Sequence, residues 1–155
     1  MNHFRGRNGM IASALVMLIY LSPAIPAVAG DDTQSPAGVW KTVDDNTGQA
    51  RSHIKIWLYK GKLYGKVLKL LDEKEKNPLC ENCPGKLKNH PVIGLTIFRG
   101  LSPDGDKWRG NVLDPESGKT YRVFLELQNS GNTLKVRGYL GISLLGRTQY
   151  WKRLR

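Results

Sequence analysis

Leu134-Lys135-Val136-Arg137-Gly138-Tyr139-Leu140-Gly141-Ile142-Ser143-Leu144-Leu145-Gly146-Arg147-Thr148-Gln149-Tyr150-Trp151 is the stretch that decides the fold. Leu134, Val136, Gly138 and Leu140 alternate with Thr133, Lys135, Arg137 and Tyr139, the two-residue period of a half-buried strand. Gly141 and Gly146 bracket a short apolar corner, and Arg147 to Leu154 resumes an extended pattern that ends in basic residues. The whole reads as two closing strands of an antiparallel sheet, and none of it is a reaction motif.

Working back from there, the same pattern recurs. Gly38 to Val43 is a first strand, stopped by the turn formers Asp44-Asp45-Asn46-Thr47-Gly48. Ser52 to Tyr59 places Ile54, Ile56 and Leu58 on one face and His53, Lys55, Trp57 and Tyr59 on the other. Lys60-Gly61-Lys62 turns the chain into Leu63 to Leu71, where Gly65 marks a bulge or a close approach. Val92 to Arg99 is apolar and β-branched, and Ser102-Pro103-Asp104-Gly105 reads as a turn. Lys107 to Leu113 and Lys119 to Leu127 are joined by Asp114-Pro115-Glu116-Ser117-Gly118, a turn in which Asp accepts backbone N–H bonds, Pro fixes φ and Gly takes the left-handed position. In the second of these strands Tyr121, Val123, Leu125 and Leu127 share a face. About eight strands, short hairpin links and no helix of three turns predict an all-β fold. A small closed up-and-down antiparallel β-barrel leaves no exposed edge, and one of eight strands has room for side chains or a single small ligand.

The first 29 residues read as a secretory signal peptide. Arg5 and Arg7 form its basic region, Met10 to Leu21 is an apolar run shorter than a membrane span, and Ala27-Val28-Ala29 is a small-x-small cleavage site before Gly30. Residues 30–37 form a flexible lead-in and 38–155 a single barrel domain. Arg5 and Arg7 are not adjacent, which favours the general export route over the twin-arginine one. No Cys follows the cleavage site to carry a lipid anchor, and no second long apolar run provides a transmembrane segment. The expected address is therefore periplasmic or secreted. Removing 29 of the 155 residues leaves 126, enough for one domain with a core. Only two of the 24 basic residues leave and all 13 acidic ones stay, so the net charge falls from +11 to +9. Export argues against nucleic acid as the partner of this charge. Anionic envelope lipids, an envelope protein or a small anionic ligand fit it, as does a merely solvated basic surface.

Asp72 to Pro91 is a long loop rich in Lys, Glu, Asn, Pro and Gly that holds both cysteines. A loop of that length in a compact domain is functional or tied down. A redox dithiol wants its first Cys at a helix N-terminus, whereas Cys80-Glu81-Asn82-Cys83 lies between Pro78 and Pro84. In an oxidising compartment two lone cysteines pair with each other, so a structural Cys80–Cys83 disulfide is expected over a redox or zinc site. Zinc needs two further ligands, and after export only His53 and His90 offer imidazoles. Neither histidine has a nucleophile at a recognisable spacing, and the turn reading already accounts for Asp114 and Glu116. No catalytic residue, metal or cofactor is assigned, and a non-enzymatic role is expected.

Gly38-Val39-Trp40, with Arg147, Trp151 and Arg153, resembles the lipocalin (calycin) pattern. There a Gly-x-Trp on the first strand plugs the closed end of the barrel and an Arg from the last strand packs across the indole. Arg147, Trp151 and Arg153 share parity, so periodicity does not choose the Arg; register decides. Trp40-Lys41-Thr42 with Gly48, the Cys-x-x-Cys, Pro91 to Leu95, Asp114-Pro115-Glu116-x-Gly118-Lys119-x-Tyr121 and Val136-Arg137-Gly138-Tyr139-x-Gly141 through Gly146-Arg147 to Trp151 resemble a bacterial exported family, domain of unknown function 2147 (DUF2147). The resemblance spans essentially the whole mature chain. It implies an exported, lipocalin-like β-barrel and no particular activity.

These readings combine into a binding protein whose barrel holds a small, partly apolar or anionic envelope molecule. Trp40, Tyr121, Arg137, Tyr139, Arg147 and Trp151 are its candidate ligand-binding residues: the rings supply apolar walls and an Arg pairs with a carboxylate or phosphate. Parity warns that Arg137 and Tyr139 oppose Leu134 and Val136 and belong outside unless a bulge intervenes. The alternative is a barrel filled with side chains that acts as an interaction or stress-related envelope protein through its basic stretch from Lys60 to Lys88.

Overall fold

The computed structural model describes residues 34–45, 47–71, 76–142 and 144–154; the signal peptide expected over residues 1–29 lies outside them, as does the first half of the lead-in, residues 30–33. Eight strands follow one another: β1 (Gly38–Val43), β2 (Ala50–Tyr59), β3 (Lys62–Leu70), β4 (Thr96–Asp104), β5 (Lys107–Leu113), β6 (Thr120–Gln128), β7 (Thr133–Tyr139) and β8 (Gly146–Leu154). Each pairs antiparallel with its successor, and β8 returns to β1 through Val39 opposite Leu154, Trp40 opposite Arg153 and Lys41 opposite Lys152. The sheet is therefore a closed up-and-down barrel, as the alternation and the short links predict.

Closure gives the barrel two unlike ends. The start of β1, the end of β8 and the tight β2–β3, β4–β5 and β6–β7 turns meet at one end. At the other end open the longer connections 44–49, 71–95, 114–119 and 140–145. Trp40, Ile56, Leu63, Phe98, Leu101, Leu125 and Leu134, all fully buried, fill the tight end. Burying a side chain of this size contributes about 1.5–3 kcal/mol each, so the packed half carries much of the stability.

Two local devices let that half close. Gly100 (φ +68°) is an extra residue in β4, since Leu63 pairs with Leu101 while Tyr64 pairs with Arg99. The resulting bulge turns both Phe98 and Leu101 inward although they lie three residues apart and strict alternation would separate them. Gly65 provides the close approach anticipated from the sequence: a Cβ there would lie 2.5 Å from the Phe98 ring.

The sequence reading of β4 needs correction. It begins at Thr96, not Val92, because Val92–Leu95 closes the long loop with a turn in which the Leu95 N–H donates to the Val92 carbonyl. It also runs through Ser102 and Pro103, which lie opposite Arg109 and Trp108. The chain reverses only at Gly105 (φ +59°), because that glycine supplies the left-handed residue the hairpin requires.

Candidate functional site

A cavity of ≈1150 Å³ occupies the half of the barrel that the core leaves unfilled and opens between the four longer connections. Ile54, Val67, Ile97, Val112, Val136 and Trp151 form its apolar wall, and polar side chains such as Thr42, Ser52, Asn77, Asn82, Tyr121 and Gln149 make up nearly half of the lining. The Trp151 ring packs at 5.7 Å against Phe98, so the deepest wall of the cavity rests on the filled half. Some of the polar groups are partnered with one another. Thr42 Oγ1 and Ser52 Oγ lie 2.8 Å apart, and Trp151 Nε1–H donates to Gln149 Oε1 at 3.0 Å.

Charge appears only at the rim. Arg51 pairs with Asp44 at 3.4 Å and with Glu116, and Arg147 pairs with Asp45. The hydrogen bond to Asp45 raises the Arg147 pKa above the ordinary arginine value, so this cation stays charged at every pH the protein meets. Beside it the corner between β7 and β8 carries Leu140, Ile142, Leu144 and Leu145, each more than half exposed.

Over the mouth lies a lid made from the cysteine loop. The Cys80 N–H donates to the His90 carbonyl, Asn89 N–H to the Cys80 carbonyl and Val92 N–H to the Pro78 carbonyl, which folds the loop into a compact knot. Cys80 and Cys83 form a disulfide and are 0% and 3% exposed. Their burial removes the accessible thiol that redox exchange requires. The Cys80 sulfur sits 3.1 Å from the Pro115 carbonyl oxygen. A Cβ on Gly118 (φ +70°) would lie 1.9 Å from the Asn82 carbonyl oxygen. The Cys-x-x-Cys and Asp-Pro-Glu-x-Gly motifs, separate in sequence, are thus the two halves of one docked unit. Asp114 and Glu116 serve the turn and the rim: Asp114 accepts from the Glu116 N–H and the Ser117 hydroxyl, and Glu116 pairs with Arg51.

Of the six candidate binding residues, Tyr121, Tyr139, Arg147 and Trp151 border the cavity. Tyr139 does so from the lip, and on the outer face Arg109 is held above its usual pKa by its hydrogen bond to Asp104 first and by Tyr139 in addition. Trp40 and Arg137 do not reach it. Trp40 is the plug of the tight end, its Nε1–H donating to the Pro36 carbonyl at 2.8 Å. Arg137 points outward, as parity requires, and donates to Thr148 Oγ1 at 2.7 Å and to the Leu144 carbonyl at 3.3 Å, fastening the apolar corner. Register also settles the Arg on the indole: Arg153 lies opposite Trp40, and Arg147 is at the other end of β8. Thr42, Ser52 and Gln149 line the cavity without having been singled out from sequence. The signal was there, because Ser52 shares a face with Ile54, and Gln149 with Trp151.

His53 lies on the outer face of β2 and His90 on the lid, far from any shared ligand set. Among the described residues no three His, Cys, Asp or Glu side chains converge as metal ligands, and no helix is long and apolar enough to cross a membrane.

Comparisons with known proteins bear on the family and on the fold. A family model described as an uncharacterized protein conserved in bacteria (DUF2147) matches residues 38–153. A solved structure of protein HP1028 from the human pathogen Helicobacter pylori, described as belonging to the lipocalin family, superposes with a TM-score of 0.67. It is 23% identical, over 78% of this chain and 84% of that one, a likeness that shows the fold. No curated protein matches the chain.

Proposed function

The chain belongs to the DUF2147 family, and from that premise we propose that it is an exported carrier holding one small amphipathic molecule, apolar part in the barrel and polar head at the rim. The observation that carries the reading is the ≈1150 Å³ cavity, open at one end, with an apolar wall that includes Trp151 and polar side chains over the rest of its lining. Ligand sites run from about 300 to 1,000 Å³, so this one takes a molecule of lipid or drug size. Eight-stranded barrels of this kind hold one small ligand.

The mixed lining suits an amphipathic ligand whose hydrocarbon lies on the apolar wall and whose polar atoms meet the polar side chains, because burying an unmatched polar atom costs about 1–3 kcal/mol. Tyr121 and Gln149 lie where a hydroxyl or carbonyl would meet them. A carboxylate or phosphate head would pair with Arg147 or Arg51 by exchanging for Asp45 or Glu116. Export is supported by the signal-peptide pattern of residues 1–29 and by a buried disulfide, which persists in an oxidising compartment.

Native mass spectrometry of the protein purified gently from its host tests both claims. The expected result is a mature chain beginning near Gly30 that carries a small molecule released on denaturation. A protein without cargo, whose cavity also takes up no fluorescent fatty-acid probe, would sink the carrier reading and leave a barrel that acts through its surface.

A further inference from the structure

The strands β1, β2 and β3 contain no Asp or Glu at all, and β8 contains none either. Their outward positions are set by the buried ones: with Trp40, Ile54, Ile56 and Val67 inside, Lys41, Lys55 and Lys66 face out, and a register shift at Leu68 turns Lys69 out as well. Pairing then lines these cations up. Lys41 is the direct partner of Lys152 and Lys66 of Lys55, and Lys69 lies in the same row as Lys41 with His53 between them. Neighbouring strands lie about 4.8 Å apart, and like charges directly opposite destabilise a sheet. The ion pairs among the described residues involve Arg51, Arg109, Lys135 and Arg147, so among the described residues no carboxylate pairs with these lysines. Beside the Lys66–Lys55 pair, Trp57 and Tyr64 stack at 5.9 Å and 21°, and Tyr59 meets Tyr64 edge-on at 6.2 Å with its side chain half exposed.

We propose that this outer face, running from β8 across β1 and β2 to β3, is a docking surface for an anionic lipid bilayer. Repulsion retained in the Lys41–Lys152 and Lys55–Lys66 pairs is a standing cost that an opposing anionic field relieves. The cations spread in two dimensions over a convex wall with no groove among them, which suits a membrane surface better than a single linear polyanion. Trp and Tyr rings standing among lysines match the headgroup region, where an amphipathic ring has one side in hydrocarbon and the other in water. Lysine stems lie along the apolar wall while their ammonium groups reach the phosphates. Docking brings a carrier against its source or destination, yet the argument stands on the outer face alone and is indifferent to what the cavity holds.

Co-sedimentation of the mature protein with vesicles tests it. Binding is expected with an equal mixture of phosphatidylglycerol and phosphatidylcholine, is absent with phosphatidylcholine alone, and disappears near 1 M salt, where the screening length is about 3 Å. The Lys55→Ala, Lys66→Ala variant should lose binding about 30-fold, about fivefold for each lysine, while its melting temperature stays level or rises because a like-charge pair has gone. The Trp57→Ala, Tyr59→Ala variant should also bind more weakly. Lys86→Ala, Lys88→Ala on the lid removes the same charge from another surface and should bind as the unaltered protein does. Equal losses from the two lysine doublets would reduce the effect to net charge and overturn the proposal. So would binding to phosphatidylcholine alone, or polyphosphate held by this face when anionic vesicles are not.

Discussion

The guanidinium of Arg153 lies 4.3 Å from the ring centroid of Trp40 and is held there by three backbone carbonyls, those of Ser35 and Ala37 at 2.7 Å and of Gly131 at 2.6 Å. One side chain thus ties the entry to β1, the β6–β7 turn and the end of β8, which is how residues 35–37, read as part of a lead-in, come to be fixed. Arg153→Ala removes a cation–π contact worth about 0.5–2 kcal/mol and leaves carbonyls at a half-buried site without donors. The expected loss in urea unfolding is about 3 kcal/mol. Arg153→Lys should recover less than half, because a single ammonium does not reproduce the planar fork. A loss below about 1 kcal/mol for the alanine variant would show that the plug is held by packing alone.

Gly118 and Gly48 share the same φ, +70°, but only Gly118 faces another backbone, that of Asn82, while a Cβ on Gly48 meets nothing within 4 Å. Gly48→Ala should therefore cost only the left-handed strain of about 1 kcal/mol. Gly118→Ala should in addition push the lid off the β5–β6 turn. Limited proteolysis between Lys76 and Lys88 is the readout. Rapid cleavage is expected in the Gly118 variant only, with strand amides of the barrel still protected from exchange. Equal cleavage in both variants would mean that the lid does not depend on this contact.

Reduction of Cys80–Cys83 opens a ring of four residues, for which loop entropy gives about 2 kcal/mol. Barrel unfolding should shift by no more than that, and lid proteolysis should rise as it does for Gly118→Ala. A shift much larger than this would place the disulfide in the folding of the whole barrel.

Val136 is nearly buried and faces the cavity. Val136→Trp projects a large ring into the unfilled half, where there is room for it, so the fold should survive and fatty-acid probe binding should fall at least tenfold, about 1.4 kcal/mol. Unchanged binding in a folded variant would move the ligand elsewhere.

Asp45→Asn removes the partner of Arg147. Because Asp45 raises the Arg147 pKa, the pair's contribution is lost on the alkaline side only as pH climbs past the raised value, so no stability change is expected between pH 5 and 9 on this account. A ligand with a carboxylate head should bind the variant several-fold more tightly, and its uncharged alcohol should bind as before. Equal effects on both ligands would take Arg147 out of head-group recognition.

Much of the fold was legible because a strand writes its environment into its alternation. The faces of β2, β6 and β7, and the outward position of Arg137, follow from parity alone. So does the glycine of each reversal, as at Gly105 and Gly118, because the turn itself needs it. What one sequence withholds is what depends on register between distant segments. Whether Arg147 or Arg153 crosses Trp40 is decided by where β8 pairs with β1. That Phe98 and Leu101 both point inward depends on a single extra residue at Gly100, which breaks the very alternation by which faces are read. The joining of the cysteine loop to the Asp-Pro-Glu turn is a contact between residues some 35 apart, with no trace in either motif. The cavity was likewise invisible, since a small barrel's apolar faces look alike whether its side chains meet in the middle or stop short. Here they meet at Trp40, Phe98 and Leu134 and stop short at Ile54 and Val136, and only the closing of the sheet places those two layers at opposite ends of one barrel.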